Sequence, residues 1–171
     1  MQIFSPDSLP DLTHSEVVVV DRNALRPSTS DFLLNSLRPW LEAGGRLIVF
    51  PQSPGVQVFS NSFDRASASG IGDTFLIDQP DRPVFSVPNR ITGPDWDGWK
   101  YARSWNGLMI ERQDEGRVTV LARNSVAPLL ADLQISRGIL TLVALNLDQQ
   151  LDDLHEGCFK LLANLLTRAG T

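Results

Sequence analysis

Cysteine is almost missing from this chain: Cys158 is the only one in 171 residues. No internal disulfide can form, so the fold must rest on its apolar core, and this usage favours a cytoplasmic address. Histidine is nearly as scarce, with His14 and His155 alone. Two histidines and one cysteine cannot supply the four close ligands of a structural zinc site, and neither a metal nor a cofactor is expected. No stretch approaches 18 uninterrupted apolar residues, which excludes a membrane-spanning helix. The opening residues have neither the basic flank nor the apolar core of a secretory signal. Basic residues number 15 against 20 acidic ones, for a net charge of −5. They form no stripe that could neutralise a phosphate backbone, so nucleic acid is not an expected partner. Arg22, Arg26, Arg38 and Arg46 read as solvated.

What the chain does contain is ordinary globular material: 42% hydrophobic and 20% charged residues, enough for one domain with a real core. Residues 2–5 could form a very short strand before a loop punctuated by Pro6 and Pro10. Residues 16–20, Glu-Val-Val-Val-Val, are uniformly apolar after the glutamate, as in a strand covered on both faces. Residues 28–43 predict a helix capped by Ser28 or Ser30, with Leu33, Leu37, Trp40 and Leu41 as its stripe and Pro39 as a kink. Gly44-Gly45 ends it, and 46–50, Arg-Leu-Ile-Val-Phe, is the next buried strand. Strand, helix and strand over this span fit a βαβ crossover.

The middle, residues 51–115, offers only short apolar groups around Val56, Phe75 and Val84, and residues 65–73 read as a loop. Order returns with strands over 117–122 and 139–147. A final helix over 151–168 follows, with Leu151, Leu154, Cys158, Leu161 and Leu165 as its stripe, Asp148 as a cap, and Arg168 and Gly170 at its end. The expected fold is α/β: a mainly parallel sheet with helices on both faces, flavodoxin-like or Rossmann-like, with an elaborated middle region.

Several segments carry a resemblance. Residues 8–21, Ser-Leu-Pro-Asp-Leu-Thr-His-Ser-Glu-Val-Val-Val-Val-Asp, and the Trp40-Leu-Glu-Ala-Gly-Gly-Arg-Leu-Ile-Val49 run resemble class I glutamine-amidotransferase-like domains. Pro88-Asn-Arg-Ile-Thr92 and Asp95-Trp-Asp-Gly-Trp99, joined to residues 145–166, are similar to the accessory domain of this type found in some LmbE/PIG-L-type deacetylase proteins. The resemblance implies one amidotransferase-like domain over 1–171, without the βα unit that usually opens such domains. It also implies a neighbouring catalytic domain or a homo-oligomer as partner. Two departures imply lost chemistry. The segment after the second strand, Pro51-Gln52-Ser53-Pro54-Gly55, has no nucleophilic cysteine, and the deacetylase zinc motif is absent.

The candidate sites weigh unevenly. Cys158 falls on the buried helical stripe, where a thiolate is disfavoured. Ser53 with His155 and an aspartate could make a hydrolase triad, but Pro54 opposes the sharp elbow such a serine needs. Asp95, Asp97 and Glu111 could be paired carboxylates for glycoside chemistry, or a helix cap with surface charge. The distinctive group is aromatic: Trp96, Trp99, Tyr101 and Trp105 lie within ten residues, flanked by Asp95 and Asp97. Such residues suit a platform for a carbohydrate or a partner chain, or else close the core. Of Trp96 and Trp99, one is expected to point inward and the other, with Trp105, outward. The reading is a non-catalytic accessory or interaction domain, carbohydrate-related, with a small hydrolase using Ser53 or an acidic site as the alternative.

Overall fold

The computed structural model describes residues 11–27, 30–65, 74–99, 103–114 and 116–167. The expectations for residues 2–5, 66–73, Ser28, Tyr101, Arg168 and Gly170 fall outside these. Strands β1 (Val17–Val20) and β2 (Arg46–Val49) pair in parallel through the crossover helix α1 (Ser30–Glu42). Pro39 sits inside α1 without ending it. Leu33, Leu34, Leu37 and Leu41 bury the helix, and the Trp40 indole N–H donates to the Ser15 carbonyl at 3.0 Å.

The remaining strands are β3 (Gln57–Val58), β4 (Asn61–Asp64), β5 (Leu76–Ile77), β6 (Gly107–Met109), β7 (Val118–Arg123), β8 (Pro128–Ile135) and β9 (Gly138–Val143). The main sheet runs β1-β2-β9-β8-β7-β5. Only β1–β2 and β2–β9 are parallel; β9–β8, β8–β7 and β7–β5 are antiparallel. The expected mainly parallel, doubly covered sheet is therefore wrong: the sheet is mixed, and only three α-helices are present among the described residues. The reason is β8. It forms a hairpin with β9 around Ser136-Arg137, register Ile135↔Gly138, and so β7 is laid down antiparallel beyond it. The four apolar segments read from the sequence do share this one sheet.

The elaborated middle builds a second, antiparallel sheet, β3-β4-β6, whose β6 lies against β8. Its turn is tied down at Asp114, which accepts hydrogen bonds from the Ser60 hydroxyl and, at 3.2 Å, from the Asn61 amide.

The expected last helix is two helices, α2 (Leu147–Asp152) and α3 (Glu156–Leu166). Leu154 adopts φ +56° between them. Its N–H donates to the Leu151 carbonyl at 2.9 Å, and the His155 N–H donates to the Gln150 carbonyl at 3.0 Å. These two bonds form a Schellman terminus. Leu154, expected on the buried stripe, is 76% exposed, whereas Cys158, Leu161 and Leu165 are fully buried. Arg46 is not the solvated residue expected. Its guanidinium donates to the Thr167 carbonyl at 3.1 Å, and burial lowers its basicity against the opposing pull of Asp132.

Candidate functional site

The aromatic segment begins with a cap. Thr92 precedes a single 3-10 turn, Gly93–Trp96, and the Asp95 carboxylate accepts from the Thr92 N–H at 2.7 Å and the Thr92 hydroxyl at 2.8 Å. In return the Asp95 N–H donates to the Thr92 carbonyl at 3.1 Å, which completes a cap of the capping-box type with Asp in the place of Glu. The other Asp95 oxygen receives Lys160 Nζ from α3 at 2.8 Å. Burial pushes the Asp95 carboxyl up, but the Lys160 and Thr92 hydrogen bonds outweigh it and hold the group below the usual carboxylate range. Asp95 is thus a structural anchor.

Above this anchor the rings form a row. Phe75 and Trp96 have centroids 4.3 Å apart, Trp96 and Trp99 5.9 Å, and Trp99 meets His155 edge-on at 5.9 Å. The Arg103 guanidinium lies 5.5 Å from the Phe75 ring centre. Trp96 and Trp99 are both buried, so the expectation that one of them faces outward fails; each ring is wedged between the segment and its neighbours. Trp105 is 45% exposed, as the binding reading requires. Asp97 is exposed.

Trp96 Nε1, Trp99 Nε1 and Arg103 Nε are buried without a hydrogen-bond partner. Each such orphan costs on the order of 1–3 kcal/mol, so three in one row is a departure from ordinary packing.

His155 closes the row. Its Nδ1 accepts from the Cys158 N–H at 3.3 Å, capping α3, so the proton resides on Nε2, which donates to the Asp97 carbonyl at 2.6 Å. Both ring nitrogens are committed to structure.

The row joins the carboxyl ends of the parallel strands. The Asn146 N–H, beyond β9, donates to the Arg103 carbonyl at 2.8 Å. The Asn106 amide donates to the carbonyl of Gln52, beyond β2, at 3.2 Å. Residues 103–106 therefore cross over the ends of β9 and β2, and Trp105 stands between these two anchors. Gln52 is fully buried; it donates to the Asp21 and Phe50 carbonyls at 2.8 and 2.7 Å and accepts from the Leu25 N–H at 2.9 Å.

The catalytic candidates do not converge. Ser53 is exposed and its hydroxyl donates to the Asn23 side chain at 3.1 Å, with no histidine or carboxylate bonded to it among the described residues. Glu111 is exposed, and its N–H donates to the Asn61 side chain at 3.2 Å. The Cys158 thiol donates to the Leu147 carbonyl at 3.3 Å, and burial, with Asp148 adding to it, pushes it up to about 12. Among the described residues no group of three or more His, Cys, Asp or Glu could hold a metal ion. Sequence reasoning missed Lys160, Arg103 and Gln52. Lys160 had one visible signal: a cation four residues after Glu156 on the last helix, to which it also bonds at 2.8 Å.

No protein-family profile and no curated protein matches the chain. Solved structures do. An exo-β-1,4-mannosidase from Opitutaceae bacterium strain TAV5 is similar at TM-score 0.55 and 18% identity, over 96% of this chain and 28% of the mannosidase. A cytoplasmic protein from Salmonella typhimurium is similar at TM-score 0.56 and 12% identity, over 94% of this chain and 75% of that one. A β-galactosidase from Bacillus circulans sp. alkalophilus gives TM-score 0.45 and 16% identity, over 91% and 23%. At these identities the likeness is one of fold alone. The chain spans little more than a quarter of the mannosidase's length. Among the described residues, no helix is long and apolar enough to cross a membrane.

Proposed function

We propose that the chain is a non-catalytic accessory domain of a carbohydrate-active protein, and that it contacts a saccharide through the rim bearing Trp105. The observation that carries this reading is the exposed Trp105 indole, held over the carboxyl ends of β2 and β9 by the Asn146–Arg103 and Asn106–Gln52 bonds. Open sheets take ligands at the carboxyl ends of their parallel strands, and β1, β2 and β9 are the parallel strands of this mixed sheet. An indole face offers a sugar a rigid apolar surface at small entropic cost. The fold shared with part of an exo-β-1,4-mannosidase supports a setting in glycan chemistry. The amidotransferase-like resemblance, with Ser53 where a nucleophilic cysteine would stand, supports a role beside a catalytic domain. The hydrolase alternative is disfavoured because Ser53 bonds to Asn23 rather than to any base among the described residues, and both nitrogens of His155 are engaged.

Calorimetric titration with β-1,4-mannobiose and a β-galactoside tests this. Saturable binding that disappears in Trp105→Ala, with no turnover of nitrophenyl esters or glycosides, is the expected result. Turnover abolished by Ser53→Ala, or no saccharide binding at all, would refute the reading.

A further inference from the structure

The three orphaned donors of the aromatic row call for a ligand with acceptors. Trp96 and Trp99 are each more than nine-tenths buried, and their indole N–H groups find no oxygen. Arg103 Nε is in the same state, and its guanidinium covers the ring that stacks on Trp96. All three are donors, and one is cationic. A neutral hydroxyl would arrive with a proton of its own to place, and the acceptors nearby are engaged: Asp95 by Lys160 and Thr92, the Asp97 carbonyl by His155. A carboxylate brings about four lone-pair sites and no proton, and pairs with N–H donors by charge-assisted bonds. The Asp97 carboxylate is exposed, where solvent screens its repulsion.

We infer that Trp96 Nε1, Trp99 Nε1 and Arg103 Nε bind a carboxylate-bearing sugar, a uronic-acid unit, at the rim whose outer contact is Trp105. This rests on the rim being a saccharide-binding surface. The donors are covered, so the ligand reaches them only as the 93–99 segment swings away from α3, which breaks the bond from His155 Nε2 to the Asp97 carbonyl, the Lys160–Asp95 ion pair and the packing of Gly157 on the Asp95 backbone.

The test is a heteronuclear NMR titration of the full chain, reading the indole N–H signals, with Trp96→Phe and Trp99→Phe as assignment variants. The probes are sodium glucuronate, glucose and sodium acetate. Glucuronate is expected to move the Trp96 and Trp99 signals saturably, glucose to leave them in place, and acetate to act only at far higher concentration. Arg103→Gln, which keeps the backbone carbonyl that Asn146 uses, should weaken glucuronate about tenfold, the loss expected for one charge-assisted bond. Should the phenylalanine variants not fold, this Arg103→Gln difference still decides the matter. Shifts at Trp105 alone with both sugars would overturn the inference and leave the saccharide-binding rim intact. Equal effects of acetate and glucuronate would overturn the sugar-acid assignment. No shift with any probe would overturn the inference, and absence of mannobiose and galactoside binding as well would remove the rim reading with it.

Discussion

Gly157 in the first turn of α3 packs its bare Cα against the backbone of Asp95: a Cβ at that position would lie 2.0 Å from the Asp95 carbonyl oxygen. The obstacle is backbone on both sides, so nothing flexible can yield. Gly157→Ala must therefore push the 93–99 segment off α3. A loss of about 1–3 kcal/mol is expected from such overpacking. Urea denaturation should register it, together with a changed tryptophan emission, since Trp96 rides on the displaced turn. An alanine variant of wild-type stability would mean that the contact is looser than described.

The three tryptophans should separate by role. Trp96→Ala and Trp99→Ala remove buried rings and should each cost about 3–5 kcal/mol. Trp105→Ala touches a half-exposed ring and should cost under about 1 kcal/mol. Chemical denaturation of the three variants measures this directly, and a severe loss at Trp105 would make it a core residue and remove the outer contact of the proposed rim.

Leu154 occupies the left-handed position of the Schellman terminus, φ +56°, with its side chain 76% exposed. A branched side chain there is strained and gains little from burial. Leu154→Gly should raise stability by about 1 kcal/mol, seen as a higher Tm, with the chain otherwise unchanged. A lower Tm would show that Leu154 makes a contact worth more than the strain.

Leu154 also marks the limit of what the sequence could tell. It fits the 3-4-3-4 apolar spacing of one long helix, and nothing local announces the break that His155 repairs by capping α3. The run at Arg46–Val49 was legible because a parallel strand buried on both faces carries no alternation. Val17–Val20 is equally apolar, but as an edge strand it buries Val18 and Val20 and leaves Val19 39% exposed, so its expected double cover is wrong. β8 was not legible. It opens on Pro128, carries Asp132 at its centre, and turns through Ser136-Arg137 rather than an Asn-Gly pair, although Ser136 takes the same positive φ, +53°. Missing that one strand turned a mixed sheet into a parallel one. At the rim, the aromatic cluster could be read directly. Its inward packing could not, because it depends on Gly157 and Lys160, some sixty residues away along the chain.

Asp132 gives a pH prediction of opposite sign to that of Asp95. It faces Thr141 across β8 and β9, and the Thr141 hydroxyl donates to it at 2.7 Å. Burial pushes its carboxyl above the ordinary value of 3.8, and the Thr141 bond and the charges of Arg46 and Arg82 only partly pull it back. The net shift already includes both arginines, so the ionised form is disfavoured in the folded chain even with them present. As pH rises from 3.8 through the folded value, the native state holds a proton that the unfolded chain has released. Stability therefore falls across that window and stays lower above it. Asp95, held low, contributes the reverse: its stabilisation is present at neutral pH and lost as pH drops below 3.8 through its folded value. Asp132→Asn keeps the shape and an acceptor for Thr141 while removing the buried charge. Its Tm should exceed that of the wild type at pH 7, and the difference should shrink as the pH approaches 3.8. An asparagine variant less stable than wild type at pH 7 would show that the Arg46 and Arg82 charges need Asp132 ionised, reversing the sign argued here.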